Sequence, residues 1–199
     1  MIEVDLEQTS PEWFALRAGV ITASNFDKIA TSKGEPSKQA QKYIYQLAGE
    51  AILGTKEEGY TNAAMERGIA LESEAKGLFE LITGHQVRTV GFCFKDEDRK
   101  IGCSPDGLID PDAGVEIKCP ILSTHIDYLI HNRLPTIYHN QIQGSMYVTN
   151  RKWWHFLSYY PGIKPLLLKI ERDDTFIEKL AIELDKQVKN LNETIKKIQ

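Results

Sequence analysis

Two short segments of the chain carry residue types that suit metal-ion chemistry. Residues 103–108 read Cys-Ser-Pro-Asp-Gly-Leu, and residues 114–120 read Gly-Val-Glu-Ile-Lys-Cys-Pro. If the second segment is a strand, Glu116 and Lys118 share one face and the apolar residues beside them share the other. Asp106 stands in a Pro-Asp-Gly turn, where a hairpin return brings it beside Glu116. Two carboxylates and an ammonium at one point suit a divalent cation and a water.

The pattern of an acid, any residue and a lysine is weak evidence by itself, since it occurs three times in the chain. At residues 74–76 it lies in a helical pattern, where positions i and i+2 do not face each other. At residues 98–100 it lies in a charged run that predicts a solvated hairpin loop. At residues 116–118 it alternates with apolar residues. From spacing alone, a metal site and an edge strand with a surface ion pair both stay open.

A third carboxylate, Glu72, falls on the apolar stripe of a long predicted helix at about residues 61–83. The stripe includes Ile69, Ala75 and Phe79. A carboxylate on a buried helix face needs a partner. Glu72 therefore either forms a salt bridge with a buried cation or points toward the metal site as a third acid.

A phosphate site is one interpretation of the N-terminal segment. Ser-Pro-Glu-Trp at residues 10–13 predicts a helix start, and Arg17 falls in the last turn of that short helix. A hydroxyl at Thr22 or Ser24 predicts the start of a second helix. Backbone amides at a helix start attract anions, so Arg17 and this start would together hold a phosphate. The plain alternatives are an Arg17 that pairs with carbonyls at the end of its helix and a hydroxyl that is an ordinary cap.

The remaining pattern predicts one domain, residues 1–199, in which helices and strands are mixed. Apolar spacing predicts helices at about residues 38–53, 61–83, 123–131 and 138–148, and alternation predicts strands at about residues 86–94, 101–103, 114–120, 152–160 and 166–170. The first three strands would form an antiparallel meander. A C-terminal helix at about residues 173–198 is amphipathic, which predicts a packing face or an oligomer interface.

Composition places the chain among ordinary soluble proteins: hydrophobic residues make up 42% and charged residues 26%. There is no apolar run of the length that spans a membrane and no signal segment, so we expect a cytoplasmic protein with no membrane contact. The cysteines number three and lack Cys-x-x-Cys spacing, which argues against a disulfide framework and a four-cysteine metal site. The net charge of −4 is unusual for a DNA-binding protein, although a locally basic track would suffice.

Four blocks of the sequence resemble, in the same order, the lambda-type phage exonucleases and YqaJ-type viral recombinase nucleases, which are alkaline exonucleases. The blocks are residues 13–24, 103–108, 116–120 and 141–149, and the resemblance extends from about residue 13 to about residue 172. Asp106 followed by Glu116-x-Lys118 is similar to the Asp…(Asp/Glu)-x-Lys motif of that nuclease superfamily. Four ordered blocks are far more specific than any one of them.

This resemblance implies a fold and a reaction. The fold class would be α/β (α+β), with a restriction-endonuclease-like core whose central mixed sheet has about five strands flanked by helices. The activity would be Mg²⁺-dependent 5′-to-3′ exonuclease action on double-stranded DNA, releasing mononucleotides for phage-type recombination by single-strand annealing. Asp106, Glu116 and the backbone carbonyl of Ile117 would bind Mg²⁺ at a two-metal site, with Glu72 contributing, and Mn²⁺ would substitute. Lys118 would orient or deprotonate the attacking water.

The resemblance also implies a pocket and partners. Arg17, Ser24, Ser104 and Gln141 match positions that hold the 5′-phosphate of a DNA end. The enzyme would be a ring-shaped homotrimer around DNA, encoded by a phage or prophage and active in the bacterial cytoplasm. Its working partner would be a single-strand annealing protein.

Two other functional classes stay open from the sequence. One is a non-catalytic module that binds DNA ends, which the intact Asp106, Glu116 and Lys118 argue against. The other is an endonuclease or repair nuclease on the same fold. Product length separates the endonuclease from the exonuclease, because an endonuclease leaves discrete fragments and an exonuclease releases mononucleotides.

Overall fold

Two mixed β-sheets and the helices around them form the protein. A computed structural model describes residues 1–56, 63–109 and 111–199 of the chain. The strands are β1 (Ile2–Val4), β2 (Ile21–Thr22), β3 (Phe92–Phe94), β4 (Ile101–Cys103), β5 (Gly107–Ile109), β6 (Ala113–Lys118), β7 (Trp153–Ser158) and β8 (Leu166–Glu171). The α-helices are α1 (Pro11–Leu16), α2 (Ala40–Leu53), α3 (Ala63–Thr83), α4 (Leu122–His131), α5 (His139–Thr149) and α6 (Asp174–Ile198), and short 3₁₀ helices cover Ala23–Lys28 and Thr136–Tyr138.

The predicted mixed α/β class is confirmed, with a different division of strands. One four-stranded sheet has the order β1-β3-β4-β2, and the other has the order β5-β6-β7-β8. In each sheet, two neighbouring pairs are antiparallel and one pair is parallel. The structure thus has two sheets of four strands where a single sheet of about five was expected. The predicted meander was wrong because the chain leaves the first sheet after β4 and pairs β5 with β6 in the second.

Strand β6 lies inside its sheet, between β5 and the parallel strand β7. At residues 116–118 the only strand partner among the described residues is β7, because β5 pairs with residues 113–115. The alternative of a surface ion pair at this point is excluded, because the Glu116 side chain is 1% exposed. Val115 and Ile117 are buried in a cluster that includes Ala75 and Phe79 of α3. Because side chains alternate along a strand, Glu116 and Lys118 take the opposite face.

Helix α3 buries less of its predicted stripe than expected. Ala75 and Phe79 are fully buried, whereas Ile69 is 60% exposed. Glu72 is also exposed, so the prediction that it lies on a buried face was wrong. Helical spacing places residues on a common face, but tertiary contacts decide how much of that face a neighbour covers. The predicted start of this helix, at residues 61–62, lies outside the described residues.

The turn between β5 and β6 is held by a buried arginine. Arg151 Nη1 donates to the carbonyl oxygens of Ile109, Pro111 and Ala113 at 2.8, 2.9 and 2.8 Å. A guanidinium that satisfies several carbonyls fixes the backbone of a turn in one geometry. Arg151 therefore supports the hairpin that carries Asp106 on one side and β6 on the other.

The C-terminal helix α6 packs against the hydrophobic core of its own chain. Asp173 caps α6 by accepting a hydrogen bond from the N–H of Phe176 at 2.9 Å. Phe176, Leu180 and Leu184 are buried in the main core, which is the packing alternative predicted for this helix. Within the described residues, no helix combines the length and apolar character needed to cross a membrane.

Candidate active site

Asp106 is tied directly to strand β6. The hairpin pairs Gly107 with Val115, so Asp106, one residue before β5, stands beside Glu116. Asp106 Oδ2 accepts a hydrogen bond from the N–H of Ile117 at 2.6 Å. The predicted hairpin return is present, and it brings the two carboxylates to the same point of the sheet.

Glu116 is the central buried group of this site. Its side chain is 1% exposed. Its Oε1 accepts hydrogen bonds from Lys118 Nζ at 2.6 Å and from Gln141 Nε2 at 2.5 Å. Its Oε2 is buried and has no hydrogen-bond partner. A buried carboxylate oxygen without a donor is costly, so this atom calls for a ligand that is absent from the protein itself.

The charges of the site are coupled. Burial raises the pKa of Asp106 well above its ordinary value, and repulsion from Glu116 raises it further, while Lys118 opposes both. Burial lowers the pKa of Lys118, but attraction to Glu116 and then to Asp106 outweighs this and leaves its pKa raised. Lys118 therefore stays an ammonium between two acids. A cation at the site would favour the ionised form of both carboxyl groups.

Glu72 lies near this pair without joining it. Partial desolvation raises the pKa of Glu72, the Lys118 ammonium lowers it, and the Glu116 carboxylate raises it again. Across residues 1–56, 63–109 and 111–199, no three His, Cys, Asp or Glu side chains come close enough to form a metal-ligand set. A direct or water-mediated role of Glu72 at the metal stays a prediction.

The residues of the site nevertheless fit a hard divalent cation. Mg²⁺ prefers oxygen ligands and is often held by one or two carboxylates together with waters and substrate phosphate. Asp106 and Glu116 supply two carboxylates on neighbouring backbone segments. The unpartnered Oε2 of Glu116 supplies the buried oxygen that such an ion would satisfy.

The four residues predicted to hold a phosphate line one cavity. Arg17, Ser24, Ser104 and Gln141 come from four separate parts of the chain and surround a space of about 150 Å³. The other residues that line it are neutral: Gln8, Trp13, Ala23, Cys103 and Ser145. Because Arg17 is the charged group in this lining, the cavity suits an anion.

Two buried donors in this cavity are unsatisfied. Arg17 is 8% exposed, its Nε has no hydrogen-bond partner, and its guanidinium lies 3.8 Å from the ring centre of Trp13. Burial lowers the pKa of Arg17 to about 10. The hydroxyl of Ser104 is also buried without a partner. Ser24 is exposed, and its hydroxyl lies 3.3 Å from that of Thr22.

Gln141 connects the cavity to the carboxylate site. It lines the cavity and also donates to Glu116 Oε1. An anion bound beside Arg17 would therefore lie one side chain away from the Asp106–Glu116 pair. The phosphate-binding roles of these residues stay predictions, while their convergence is a property of the structure.

Sequence reasoning missed residues that shape this region. Gln8 Nε2 donates to the carbonyls of Val90 at 3.0 Å and Pro105 at 3.1 Å, and so holds the segment just before Asp106. No periodic pattern marks Gln8, because it lies in an irregular segment. Helical spacing could have indicated Ser145 as a cavity residue, since it follows Gln141 by four residues and lies on the same helix face.

Comparisons with known proteins agree with this architecture. The family model of the YqaJ-like viral recombinase domain matches residues 12–152. Two crystal structures of an alkaline exonuclease (LHK-Exo) from Laribacter hongkongensis, one of them in complex with dAMP, are each 33% identical, with a TM-score of 0.86 over 95% of this chain and 96% of that chain. A phage-related exonuclease from Haemophilus somnus 129PT shares the fold at 16% identity, with a TM-score of 0.71 over 90% of this chain and 96% of that chain. No curated protein sequence matches significantly.

Proposed function

Because the chain belongs to the YqaJ-like viral recombinase domain family and shares its fold with an alkaline exonuclease, we propose that it is a Mg²⁺-dependent 5′-to-3′ DNA exonuclease. Its substrate would be linear double-stranded DNA with a 5′-phosphorylated end, and its products would be mononucleotides. The complex of the similar exonuclease with dAMP supports a nucleoside monophosphate as a ligand of this fold.

The observation that carries this proposal is the position of Gln141 between two kinds of site. On one side it donates to Glu116, beside Asp106 and Lys118. On the other it lines the cavity that contains Arg17. An exonuclease that recognises a terminal phosphate needs an anion pocket at a fixed short distance from its hydrolytic groups, and the position of Gln141 supports such an arrangement.

Asp106, Glu116 and the backbone carbonyl of Ile117 would hold Mg²⁺, with Glu72 adding an oxygen ligand directly or through water at a two-metal site. The bound ion would neutralise charge on the scissile phosphate and lower the pKa of a coordinated water, and Mn²⁺ would serve in its place. The buried Oε2 of Glu116, which has no hydrogen-bond partner in the protein, supports this assignment.

Lys118 would act as the hydrogen-bond donor to the attacking water and the scissile phosphate. With two carboxylates raising its pKa, it keeps its ammonium protons near neutral pH. It would orient the attacking water and stabilise the negative charge that develops on the phosphate. The sequence also allowed Lys118 to deprotonate this water, and both roles stay part of the proposal.

The 5′-phosphate would occupy the cavity lined by Arg17, Ser24, Ser104 and Gln141. The unpartnered Nε of Arg17 and the unpartnered hydroxyl of Ser104 provide donors for its oxygens. Strong hydrogen bonds to an oxyanion come from charged and buried donors of this kind. A pocket that holds the 5′ end would set the direction of resection.

We extend the proposal to the assembly. The enzyme would work as a homotrimeric ring on DNA together with a single-strand annealing protein, in the cytoplasm of a bacterial host and as part of a phage-type recombination system. A net charge of −4 gives little general affinity for DNA. A ring would keep such a protein on its substrate by enclosing it.

The test uses end-labelled linear duplex DNA with 5′-phosphate or 5′-hydroxyl ends and a closed circle, each with Mg²⁺ or with a chelator. Lys118→Ala is the catalytic variant, and Lys152→Ala is the matched control, because Lys152 is an exposed lysine paired with Asp112. We expect mononucleotide release from the linear DNA that is faster with the phosphate, absent with the chelator and slower by about 10² to 10³ in Lys118→Ala.

Other results would point to the other functional classes. Cutting of the closed circle would support an endonuclease. Binding of DNA ends without any cutting, in the presence of Mg²⁺ or Mn²⁺, would support a binding module.

A further inference from the structure

Arg17 lines a second cavity in addition to the one proposed for the 5′-phosphate. This second cavity also measures about 150 Å³ and lies among β2, the 3₁₀ helix after it, α2 and the residues that follow α2. Three cationic side chains line it, those of Arg17, Lys28 and Lys56. Among the described residues of its lining, Glu50 is the one carboxylate.

Glu50 is a buried acid with half of its carboxylate unsatisfied. Its side chain is 3% exposed, and its Oε1 accepts a hydrogen bond from Gln46 Nε2 at 2.9 Å. Its Oε2 is buried and has no partner. An ionised carboxylate in this position is costly unless a nearby positive charge compensates it.

Of the three cationic side chains, only that of Arg17 is buried, and its Nε has no partner, whereas Lys28 and Lys56 are half-buried. Two groups of opposite charge, each with an unsatisfied buried atom, thus line the same small cavity. The cavity is large enough for ordered water, which bridges polar groups of this kind in protein interiors.

A close backbone contact lies near these two groups. Gly19, two residues after Arg17, has φ +71°, and a Cβ added there would lie 2.5 Å from Cβ of Ala51. The absence of a side chain at Gly19 lets the end of α1 dock directly on α2, next to Glu50. This close contact keeps the segment that carries Arg17 next to the helix that carries Glu50.

We propose that Glu50 is a positioning residue, which holds the Arg17 guanidinium in place across the second cavity so that it presents its charge to the 5′-phosphate. This inference rests on the proposed function, because it assigns Glu50 a role in the same phosphate pocket. The electrostatics agree with it: burial lowers the pKa of Arg17, and the charges of Tyr43 and Glu50 raise it.

The experiment compares Glu50→Gln with the wild type. Glutamine keeps the size of the side chain and an oxygen for the Gln46 hydrogen bond, but it removes the charge. The matched control is Glu80→Gln: Glu80 is a half-buried acid of α3 that accepts a hydrogen bond from the N–H of Val87 at 2.8 Å and lines neither cavity.

The first readout is the ratio of kcat/KM for duplexes with a 5′-phosphate and with a 5′-hydroxyl. We expect Glu50→Gln to lower this ratio roughly tenfold, within the range for coupled neighbouring groups, through KM for the phosphorylated end. Activity on the 5′-hydroxyl end should change little, which a general structural defect would not produce. Glu80→Gln should leave the ratio unchanged.

The second readout is independent of DNA. Urea unfolding of the wild type, Arg17→Gln, Glu50→Gln and the double variant forms a double-mutant cycle. We expect Glu50→Gln to lower the folding equilibrium constant several-fold more when Arg17 is present than when it is replaced.

These experiments distinguish the positioning role of Glu50 from the proposed exonuclease function. An additive cycle, or an unchanged phosphate preference in Glu50→Gln, would overturn the role of Glu50 while leaving the exonuclease intact. An equal loss of preference in Glu80→Gln would also overturn it. A coupled cycle in a wild type that shows no phosphate preference would remove the proposed pocket and the positioning role with it.

Discussion

The Lys118 ammonium lies 5.3 Å from the centre of the Tyr138 ring. Tyr138 immediately precedes α5, and Gln141, three residues later, donates to Glu116. Tyr138 and the first turn of α5 thus contact both charged residues of β6, Lys118 and Glu116. Tyr138 in turn packs on Phe156 of β7, with ring centres 5.3 Å apart, so the lysine rests on a ring that the core supports.

This contact predicts that the exonuclease rate depends on the aromatic ring of Tyr138 and does not depend on its hydroxyl. Tyr138→Phe should keep most of the exonuclease rate, because the aromatic face remains available to the ammonium. Tyr138→Leu should lower kcat roughly tenfold with little change in KM, since a cation–π contact of a desolvated cation contributes about 1–2 kcal/mol. Steady-state kinetics on one 5′-phosphorylated duplex measure both. Equal rates for the two variants would contradict the prediction.

Lys118→Ala should strongly reduce kcat and spare end binding. We expect kcat to fall by about 10² to 10³, the effect of removing one donor that stabilises transition-state charge. The Arg17 cavity does not include Lys118, so affinity for a 5′-phosphorylated end should persist. Fluorescence anisotropy with labelled duplex, in Ca²⁺ to block cleavage, measures that affinity. Loss of binding in parallel with activity would show that Lys118 holds the DNA as well.

Gln141 and Arg17 should behave differently because Gln141 contacts both parts of the site. Gln141→Met removes a hydrogen bond to the buried Glu116 and a donor from the cavity, so both kcat and the phosphate preference should fall, each several-fold. Arg17→Gln should reduce the preference more and kcat on 5′-hydroxyl ends less. Parallel assays on the two kinds of end resolve these patterns, and identical profiles would argue against the bridging position of Gln141.

Arg151 should be important for stability because it satisfies three buried or half-buried carbonyls. Arg151→Met should lower the free energy of unfolding by about 3 kcal/mol, since it leaves these acceptors without their donor. Lys152→Met is the control, because the neighbouring lysine is exposed and its ion pair contributes little. Urea denaturation provides the measurement, and similar unfolding midpoints for both variants would contradict a stabilising role of the Arg151 hydrogen bonds.

His155 should make stability depend on pH. Burial lowers its pKa below the ordinary 6.5, and a backbone hydrogen bond with Leu168 opposes this, while His85 and Lys169 lower it further. Below pH 6.5 the unfolded state therefore binds a proton that the folded state does not, and stability falls as pH decreases toward the lowered pKa. Thermal midpoints between pH 8 and about pH 5 should fall less in His155→Gln than in the wild type. Parallel curves would exclude this linkage.

The sequence by itself determined the features that depend on neighbouring residues. Alternation along β6 separated Glu116 from Val115 and Ile117, and the Pro-Asp-Gly turn indicated that Asp106 lies beside Glu116. The helix start predicted at residues 10–13 is present, and Ser10 caps α1 by accepting a hydrogen bond from the N–H of Trp13. The ordered sequence blocks indicated the family, which the match over residues 12–152 confirms. These inferences hold because backbone periodicity and capping are local properties of the chain.

Tertiary structure alone decided what distant segments do to one another. It divided the strands between two sheets, and it left Glu72 exposed although helical spacing put it on an apolar stripe. It brought Glu50 and Arg17 to the same cavity and the Tyr138 ring to within 5.3 Å of the Lys118 ammonium, and no local pattern marks Glu50 or Tyr138. Burial and charge pairing arise when separate elements pack together, so their strength depends on which faces meet rather than on the spacing within any one element.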